Sequence, residues 1–261
     1  MPDSDPTPVH SVADVSTRPV ARYRRLSIVI PCFNERATLE TLIGRVLASP
    51  VHLDKEIVIV DDGSTDGSAD IVRQTRAKHA GDPNCSIVTA FHATNRGKGA
   101  ALRTGLAMTT GDVILVQDAD LEYDPRDYPA LVRPIVDGIA SVVYGSRWLN
   151  RHFDAPNPDR RWFVVGNWIL TRLANLLYGA HISDEAVCYK VFDARVLKQI
   201  PLRCERFEFC PEVTAKVRKL GHKIWEVPVR YDPRSIAAGK KIRWVDGIQA
   251  AWVLIRYRFS D

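Results

Sequence analysis

No stretch of this chain is apolar enough to cross a bilayer. Its longest uninterrupted apolar run is six residues, Ala250–Ile255, where a spanning helix needs roughly 18 or more. No apolar stretch of the kind a secretory leader carries stands near Met1, so no leader is expected. Cysteine is scarce and odd in number: five residues (32, 85, 188, 204 and 210), none at CxxC spacing. That argues against a disulfide framework or a thiolate zinc site and points to a reducing compartment. Charge of one sign is in only small excess, 36 Lys and Arg against 31 Asp and Glu. A net +5 does not mark a nucleic-acid binder. What remains is an ordinary globular composition, 46% apolar over 261 residues, enough to bury a sizeable core.

Residues 1 to about 22 carry four prolines with Ser, Thr and Asp and no periodicity, and read as a disordered tail. From residue 23 to 261 the pattern is that of a single domain. Short β-rich runs (Leu26–Ile30, Glu56–Val60, Ile87–Ala90, Val113–Val116) alternate with helical patterns over 39–47, 68–78 and 99–108. This β-α-β-α-β-α-β order predicts an α/β fold, Rossmann-like, with a mostly parallel sheet flanked by helices. The second half is less regular. Helices are expected over 129–138, 162–178 and 242–259, and strands over 140–144, 186–192 and 223–229. Residues Trp244, Ile248, Ala251, Trp252, Ile255 and Phe259 form one stripe of the last helix.

Open α/β sheets bind ligands beyond the C-terminal ends of their strands. Three polar clusters fall there: Pro31-Cys-Phe-Asn-Glu35, Asp61-Asp62-Gly63-Ser64 and Asp118-Ala-Asp120-Leu-Glu122. Carboxylates two residues apart at a strand end repel one another, and a hard divalent cation, Mg²⁺ or Mn²⁺, relieves that repulsion and bridges to substrate phosphates. A solvated acidic turn is the plainer reading of one such pair; three clusters on one edge favour the cation.

Taken together, Ser27-Ile-Val-Ile-Pro-Cys-Phe-Asn-Glu35, Val60-Asp-Asp-Gly-Ser-Thr-Asp-Gly67, Asn95-Arg-Gly-Lys-Gly-Ala-Ala101, Gln117-Asp-Ala-Asp-Leu-Glu122 and Gly145-Ser-Arg147 resemble the GT-A glycosyltransferases of family 2. Within them the closest likeness is to the polyprenyl-phosphate (dolichyl-phosphate) mannose and glucose synthases. Cys188-Tyr-Lys-Val-Phe192 and Glu212-Val-Thr-Ala-Lys216 extend the match to about residues 26–258. The resemblance implies a nucleotide-sugar half, about 26–122, and an acceptor half, about 123–261. It implies that Pro31, Phe33 and Glu35 line the base and ribose pocket and that Asp62 hydrogen-bonds the base. It implies that Asp118 and Asp120 hold the metal on the diphosphate, with Glu122 where several relatives carry a Gln ligand. Asp120 and Arg147 are the catalytic candidates. Arg147 meets the acceptor phosphate or the leaving diphosphate, a surface ion pair being its plainer role. Lys98 either contacts phosphate or is a solvated lysine.

A lipid phosphate is largely ionised near neutral pH, so direct inverting displacement without a covalent enzyme intermediate is expected, with Asp120 orienting rather than acting as an obligatory base. The expected partners are a nucleotide sugar (GDP-mannose slightly over UDP-glucose), a polyprenyl phosphate and a membrane surface, with no nucleic acid. The expected location is peripheral, on the cytoplasmic face of a membrane. Residues 160–178 and 242–259 are the amphipathic candidates for the interface, packing on the sheet being the alternative. Arg161, Arg234 and Lys240, with Lys241, are candidates for the acceptor phosphate, as a loop closing over phosphates or a basic rim. Two other readings are a GT-A enzyme with a saccharide or small soluble acceptor and a non-catalytic membrane-binding protein. The small net charge is unevenly spread: Leu26–Glu122 holds nine basic and thirteen acidic residues, Arg230–Arg258 seven basic and two acidic. An acidic metal-and-nucleotide end thus faces a basic acceptor end.

Overall fold

The computed structural model describes residues 23–83, 85–149, 161–234, 241 and 244–260, with 161–163 by their backbone alone. The tail reading of residues 1–22 and the Lys240 assignment lie outside the described residues, as does the Arg161 side chain.

The apolar runs become the strands of one seven-stranded sheet. They are β1 (Arg25–Cys32), β2 (Asp54–Asp61), β3 (Cys85–Phe91), β4 (Val113–Val116), β5 (Val142–Ser146), β6 (Lys190–Asp193) and β7 (Trp225–Pro228). Their order is β3-β2-β1-β4-β6-β5-β7. Strands β1–β4 are parallel, in register Ile28↔Ile57 and Ile28↔Leu115. The central side chains of β1, β2 and β4 are buried because helices cover both faces, which is why these runs are continuously apolar rather than alternating; β3, at the sheet edge, is half-buried. Helices α1 (Leu39–Leu47), α2 (Ser68–Lys78) and α3 (Lys98–Met108) make the crossovers.

The chain winds outward from β1 to β2 and β3, then returns to place β4 on the other side of β1. That reversal is the topological switch point, and it opens a crevice beyond the C-terminal ends of β1 and β4. Residues 31–35 and 118–122 therefore meet there.

The second half departs from the simple pattern. β6 runs antiparallel between β4 and β5, and is shorter than the strand expected over 186–192. β7 pairs parallel with β5. A buried helix not expected from the pattern, α7 (Phe209–Lys219), follows the short α6 (Ala194–Leu197). Helix α4 (Tyr128–Val136) precedes β5, and α5 (Arg161–Tyr178) and α8 (Trp244–Phe259) pack on each other and on α7. Among the described residues, no helix is long and apolar enough to cross a membrane.

One buried carboxylate locks the base of the central strands. Glu56, on β2, accepts hydrogen bonds from the Ser27 hydroxyl on β1, from the Thr110 amide at 2.8 Å and from the Thr110 hydroxyl at 2.6 Å. Burial pushes its pKa up, but these donors outweigh burial and hold it below its ordinary 4.5. A depressed carboxyl contributes stability above the unfolded pKa and loses it as pH falls through the folded value. Glu56→Gln should therefore cost about 1.5–3 kcal/mol at neutral pH, the worth of hydrogen bonds to a charged group. The difference from wild type should shrink as pH falls below 4.5. Urea unfolding at a series of pH values measures this; a pH-independent difference contradicts it.

Candidate active site

The polar residues of the first two motifs mostly hold loops together. Asn34, in the left-handed region at φ 50°, accepts the Thr65 amide at 2.8 Å on its side-chain oxygen, and its own amide donates to the Ser64 hydroxyl at 2.9 Å. The Glu35 amide donates to the Ser68 hydroxyl at 2.9 Å, and Asp66 accepts from the Arg36 amide at 2.9 Å. Short polar side chains bond nearby backbone readily, so Asn34, Ser64, Asp66 and Ser68 buckle the loop after β1 to the loop after β2. This positions Pro31, Phe33 and Glu35 on the crevice wall.

Asp62 is nearly enclosed. One carboxylate oxygen faces His92 Nδ1 at 2.6 Å and the Arg96 amide at 3.0 Å. The other accepts from Asn95 at 2.9 Å and from the Gly97 amide at 2.7 Å. His92 Nε2 in turn meets the Thr104 hydroxyl at 2.9 Å. The expected contact of Asp62 with a base therefore finds both oxygens already engaged, in folding residues 92–97. Its neighbour Asp61 keeps one buried oxygen without a partner.

The glycine-rich run 95–101 seats backbone. The amides of Gly99 and Ala100, at the start of α3, donate to the carbonyls of Arg206 and Glu205 at 2.8 and 2.9 Å. Gly97 has φ +100°, and a Cβ there would lie 2.4 Å from the Glu205 carbonyl oxygen. Only glycine fits. The consequence is to aim Lys98 into the crevice, where its ammonium lies 2.5 Å from Asp118. Burial pulls the Lys98 pKa down, but the Asp118 charge more than offsets it and the pKa stands raised. The side chain is not that of a freely solvated lysine; it pairs with Asp118.

Asp118, Asp120 and Glu122 follow β4, with Leu121 in the left-handed region at φ 63°. Burial, and then the charges of Asp118 and Glu122, push the Asp120 pKa up to about 7 against the pull of Arg234. Such crowding is what a divalent cation relieves. Arg234 spans the cluster: its guanidinium donates to both oxygens of Glu35 at 3.0 and 3.2 Å and to Asp120 at 3.1 Å. Lys241 reaches Glu35 at 2.7 Å and also donates to the Phe33 carbonyl. Both cations lie against Glu35, and Arg234 also against Asp120.

The sheet end offers carboxylates whose chemistry fits a divalent cation. Asp118 and Asp120 are hard carboxylates side by side, and Mg²⁺ is commonly held by one or two carboxylates plus substrate phosphates. Glu122 is committed elsewhere: it accepts from the Tyr231 hydroxyl at 2.8 Å and the Arg234 amide at 2.9 Å. Among the described residues, no group of three or more His, Cys, Asp or Glu is arranged to hold a metal ion. Glu122, expected as a third ligand, is engaged in this structure with Tyr231 and the Arg234 amide.

Arg147 is likewise committed. Its Nε and Nη2 each donate to Asp184 at 2.7 Å, its amide donates to the same carboxylate at 3.1 Å, and its guanidinium stacks over the Tyr231 ring at 4.9 Å. Only 14% of the side chain is exposed. An ion pair is observed, and it is buried rather than on the surface. Asp184, also bonded by Asn167 at 2.9 Å, carries no mark in its sequence spacing. Glu212 lies apart from the crevice, accepting from the amides of Arg203 and Cys204, Lys216 and the Tyr257 hydroxyl. It ties α7 to α8.

The two amphipathic candidates are oriented unexpectedly. Helix α5 buries Asn167 and Thr171, which bond Asp184, the Ala186 amide and the Glu185 amide. It exposes Val165, Trp168, Ile169 and Leu176, with Arg172 stacked on Trp168. Helix α8 buries Ala250, Val253, Leu254 and Tyr257. The stripe identified in the sequence points outward: Trp244 is 76% exposed, Ile248 61%, Trp252 59% and Phe259 83%.

This geometry can be set beside known proteins. The model for Glycosyl transferase family 2 matches residues 27–201. An uncharacterized protein of Methanocaldococcus jannaschii is 30% identical over 241 residues, covering 87% of this chain and 90% of the relative. The undecaprenyl-phosphate 4-deoxy-4-formamido-L-arabinose transferase of Aeromonas hydrophila is 29% identical, covering 71% of this chain. The dodecaprenyl-phosphate galacturonate synthase of Rhizobium johnstonii is 28% identical, covering 82%. This chain spans 54% and 61% of the length of those two enzymes. Among solved structures, glucosyl-3-phosphoglycerate synthase from Mycobacterium tuberculosis with UDP superposes at a TM-score of 0.66 and 19% identity, over 91% of this chain and 81% of that one. That likeness is one of fold, the GT-A arrangement of a mostly parallel sheet between helices. With two thirds of its length matched by the family model, this chain belongs to glycosyltransferase family 2.

Proposed function

We propose that this glycosyltransferase moves a hexose from a nucleotide sugar to a polyprenyl phosphate at a membrane surface. The observation that carries the reading is a carboxylate pair at the sheet's switch point on the same chain as an outward-facing apolar and aromatic surface on α5 and α8. Water-facing helices bury apolar residues and expose polar ones; α5 buries Asn167 and Thr171 beside Leu170 and Ala174 and exposes Val165, Trp168, Ile169 and Leu176. Contiguous exposed apolar surface marks an interaction site. Tryptophans 168, 244 and 252 with Arg172, Arg256 and Arg258 have the composition of a headgroup boundary. The names of two relatives, which act on undecaprenyl and dodecaprenyl phosphates, support the lipid acceptor. The placement proposed is peripheral, on the cytoplasmic face.

Asp118 and Asp120 would hold Mg²⁺ or Mn²⁺; related folds have been crystallised with Mn²⁺ or Mg²⁺ and UDP. When bound, the cation stabilises negative charge on the departing nucleoside diphosphate. Pro31, Phe33 and Glu35 wall the nucleotide, and Lys98 holds Asp118 in place. Lys98, Arg234 and Lys241 bring three positive charges into a crevice where an anionic leaving group forms. The acceptor phosphate is already ionised, so inverting attack needs little help from a base. The lean toward mannose on GDP over glucose on UDP rests on the sequence resemblance, and a thermal-shift screen of nucleotide sugars with Mn²⁺ separates the two.

Transfer is measured by incubating labelled nucleotide sugars with polyprenyl phosphate and extracting with organic solvent. Label in the organic phase supports the lipid acceptor; label only in water-soluble product transfers the reading to a soluble acceptor, and no transfer at all refutes enzymatic activity on these donors. Asp118→Asn and Asp120→Asn should each reduce transfer by a factor of about 100 or more, the scale on which groups that stabilise transition-state charge act. Turnover near wild type in either removes the metal assignment.

The surface reading has its own measurement. In flotation with anionic vesicles at low salt, the wild type should float, and the double variant Trp244→Glu, Trp252→Glu should stay at the bottom of the gradient. Both side chains are exposed, so the variant should keep wild-type thermal stability. Equal flotation of the two proteins rules out α8 as a docking face.

A further inference from the structure

The four carboxylates of the crevice, Glu35, Asp118, Asp120 and Glu122, are met by three cations among the described residues: Lys98, Arg234 and Lys241. Lys98, at the seated start of α3, meets only Asp118 of the four. Arg234 differs, because it comes from across the sheet and touches three of the four carboxylates at once. Its attachment depends on Glu122. The Glu122 carbonyl accepts the Asp232 amide at 2.8 Å, its side chain accepts the Tyr231 hydroxyl and the Arg234 amide, and Tyr123 and Tyr231 are bridged as one step of antiparallel sheet. The backbone of 231–234 is thereby sewn to the strand-end turn that carries Asp120. With its backbone fixed, the Arg234 side chain, 18% exposed, lies along Glu35 and Asp120.

We propose that Arg234 is a built-in counter-cation that occupies the place of the divalent ion at Asp120, that Glu122 is the positioning residue that presents it, and that metal and Arg234 exclude one another. The inference rests on the donor-site reading above and deepens it. A guanidinium and a metal ion bound to the same carboxylate in a mostly buried crevice repel strongly. The geometry therefore makes metal binding an exchange: the ion enters Asp118 and Asp120 as the Arg234 fork leaves. The glutamate at position 122 fits this role, because its two oxygens serve the amide of Arg234 and the hydroxyl of Tyr231 and leave Asp120 as the carboxylate in dispute. It follows that the free protein binds a bare divalent ion weakly, and that an ion arriving with an anionic diphosphate binds better, since the diphosphate gives the displaced guanidinium a new partner.

The test is direct Mn²⁺ binding to the full chain, followed by electron paramagnetic resonance of free Mn²⁺, without activity as a readout. Arg234→Gln should bind Mn²⁺ alone on the order of tenfold more tightly than wild type. With UDP present that advantage should vanish or reverse. Arg234→Lys, which restores charge without the fork, should fall between the two. Arg126→Gln, an exposed arginine paired with Asp124, controls for loss of one positive charge and should match wild type. The role of Glu122 is read by tryptic cleavage after Arg234, followed by mass spectrometry: Mn²⁺ should accelerate it several-fold in wild type, and Glu122→Ala should accelerate it without metal. Equal Mn²⁺ affinity in wild type and Arg234→Gln overturns the proposal while leaving the metal site standing. Absence of Mn²⁺ binding in Arg234→Gln even with UDP removes the metal site as well. Cleavage after Arg234 that is insensitive to both Mn²⁺ and Glu122→Ala overturns the positioning role.

Discussion

Repulsion among carboxylates is the constraint around which this molecule is arranged. The parallel winding of β1–β4 places the ends of β1 and β4 side by side, and both ends carry acidic residues. Burying such groups without compensation is costly, and the surrounding structure reads as a set of compensations. The glycine-rich start of α3 exists to deliver Lys98 to Asp118. The turn at 231–234 exists to deliver Arg234 to Glu35 and Asp120. Asp62, facing the same edge, collects backbone amides and His92 instead of a cation. A site balanced internally in this way is preorganised for a charged ligand, because replacing one cation by another requires little rearrangement of the carboxylates themselves.

Much of the first half was legible in the sequence because continuous apolar runs mark parallel strands buried on both faces, and four such runs separated by helical patterns leave few topologies. The polar clusters at their ends were legible for the same reason. What the one-dimensional pattern hid was allegiance. Asp61 and Asp62 are adjacent and alike in sequence, yet one is saturated with donors and the other retains an unpartnered oxygen. Asp118 and Glu122 both read as ligands, but Glu122 also has a partner 109 residues away at Tyr231. Lys98 read as either a phosphate contact or a solvated lysine, because nothing nearby in sequence says that residues 205–206 will seat the start of its helix.

The second half was less legible because its strands are short and its helices mix polarities. Helix α7 carries Glu212 and Lys216 on an inward face, where they pair with each other and with Tyr257, so its polar residues disguise a buried element. Helix α8 is apolar on both sides. Periodicity detected its outer stripe and could not tell which side met the core, since a hydrophobic stripe has the same period whichever medium it faces. Arg147 illustrates a third difficulty: a motif arginine carries the same letter whether it greets a phosphate or holds Asp184, and only the position of Asp184 decides.

The inward Asn167 and Thr171 of α5 have one further implication. Hydrogen bonds from these two side chains pin the helix to residues 184–186, fixing its azimuth about its own long axis. A helix held only by greasy contacts can roll, and the depth of its tryptophans then varies with every fluctuation. This one can rise or sink with the body of the protein but not turn. Any surface it rests on is met at a constant tilt, and the same bonds carry that tilt to Asp184 and Arg147 at the rim of the crevice.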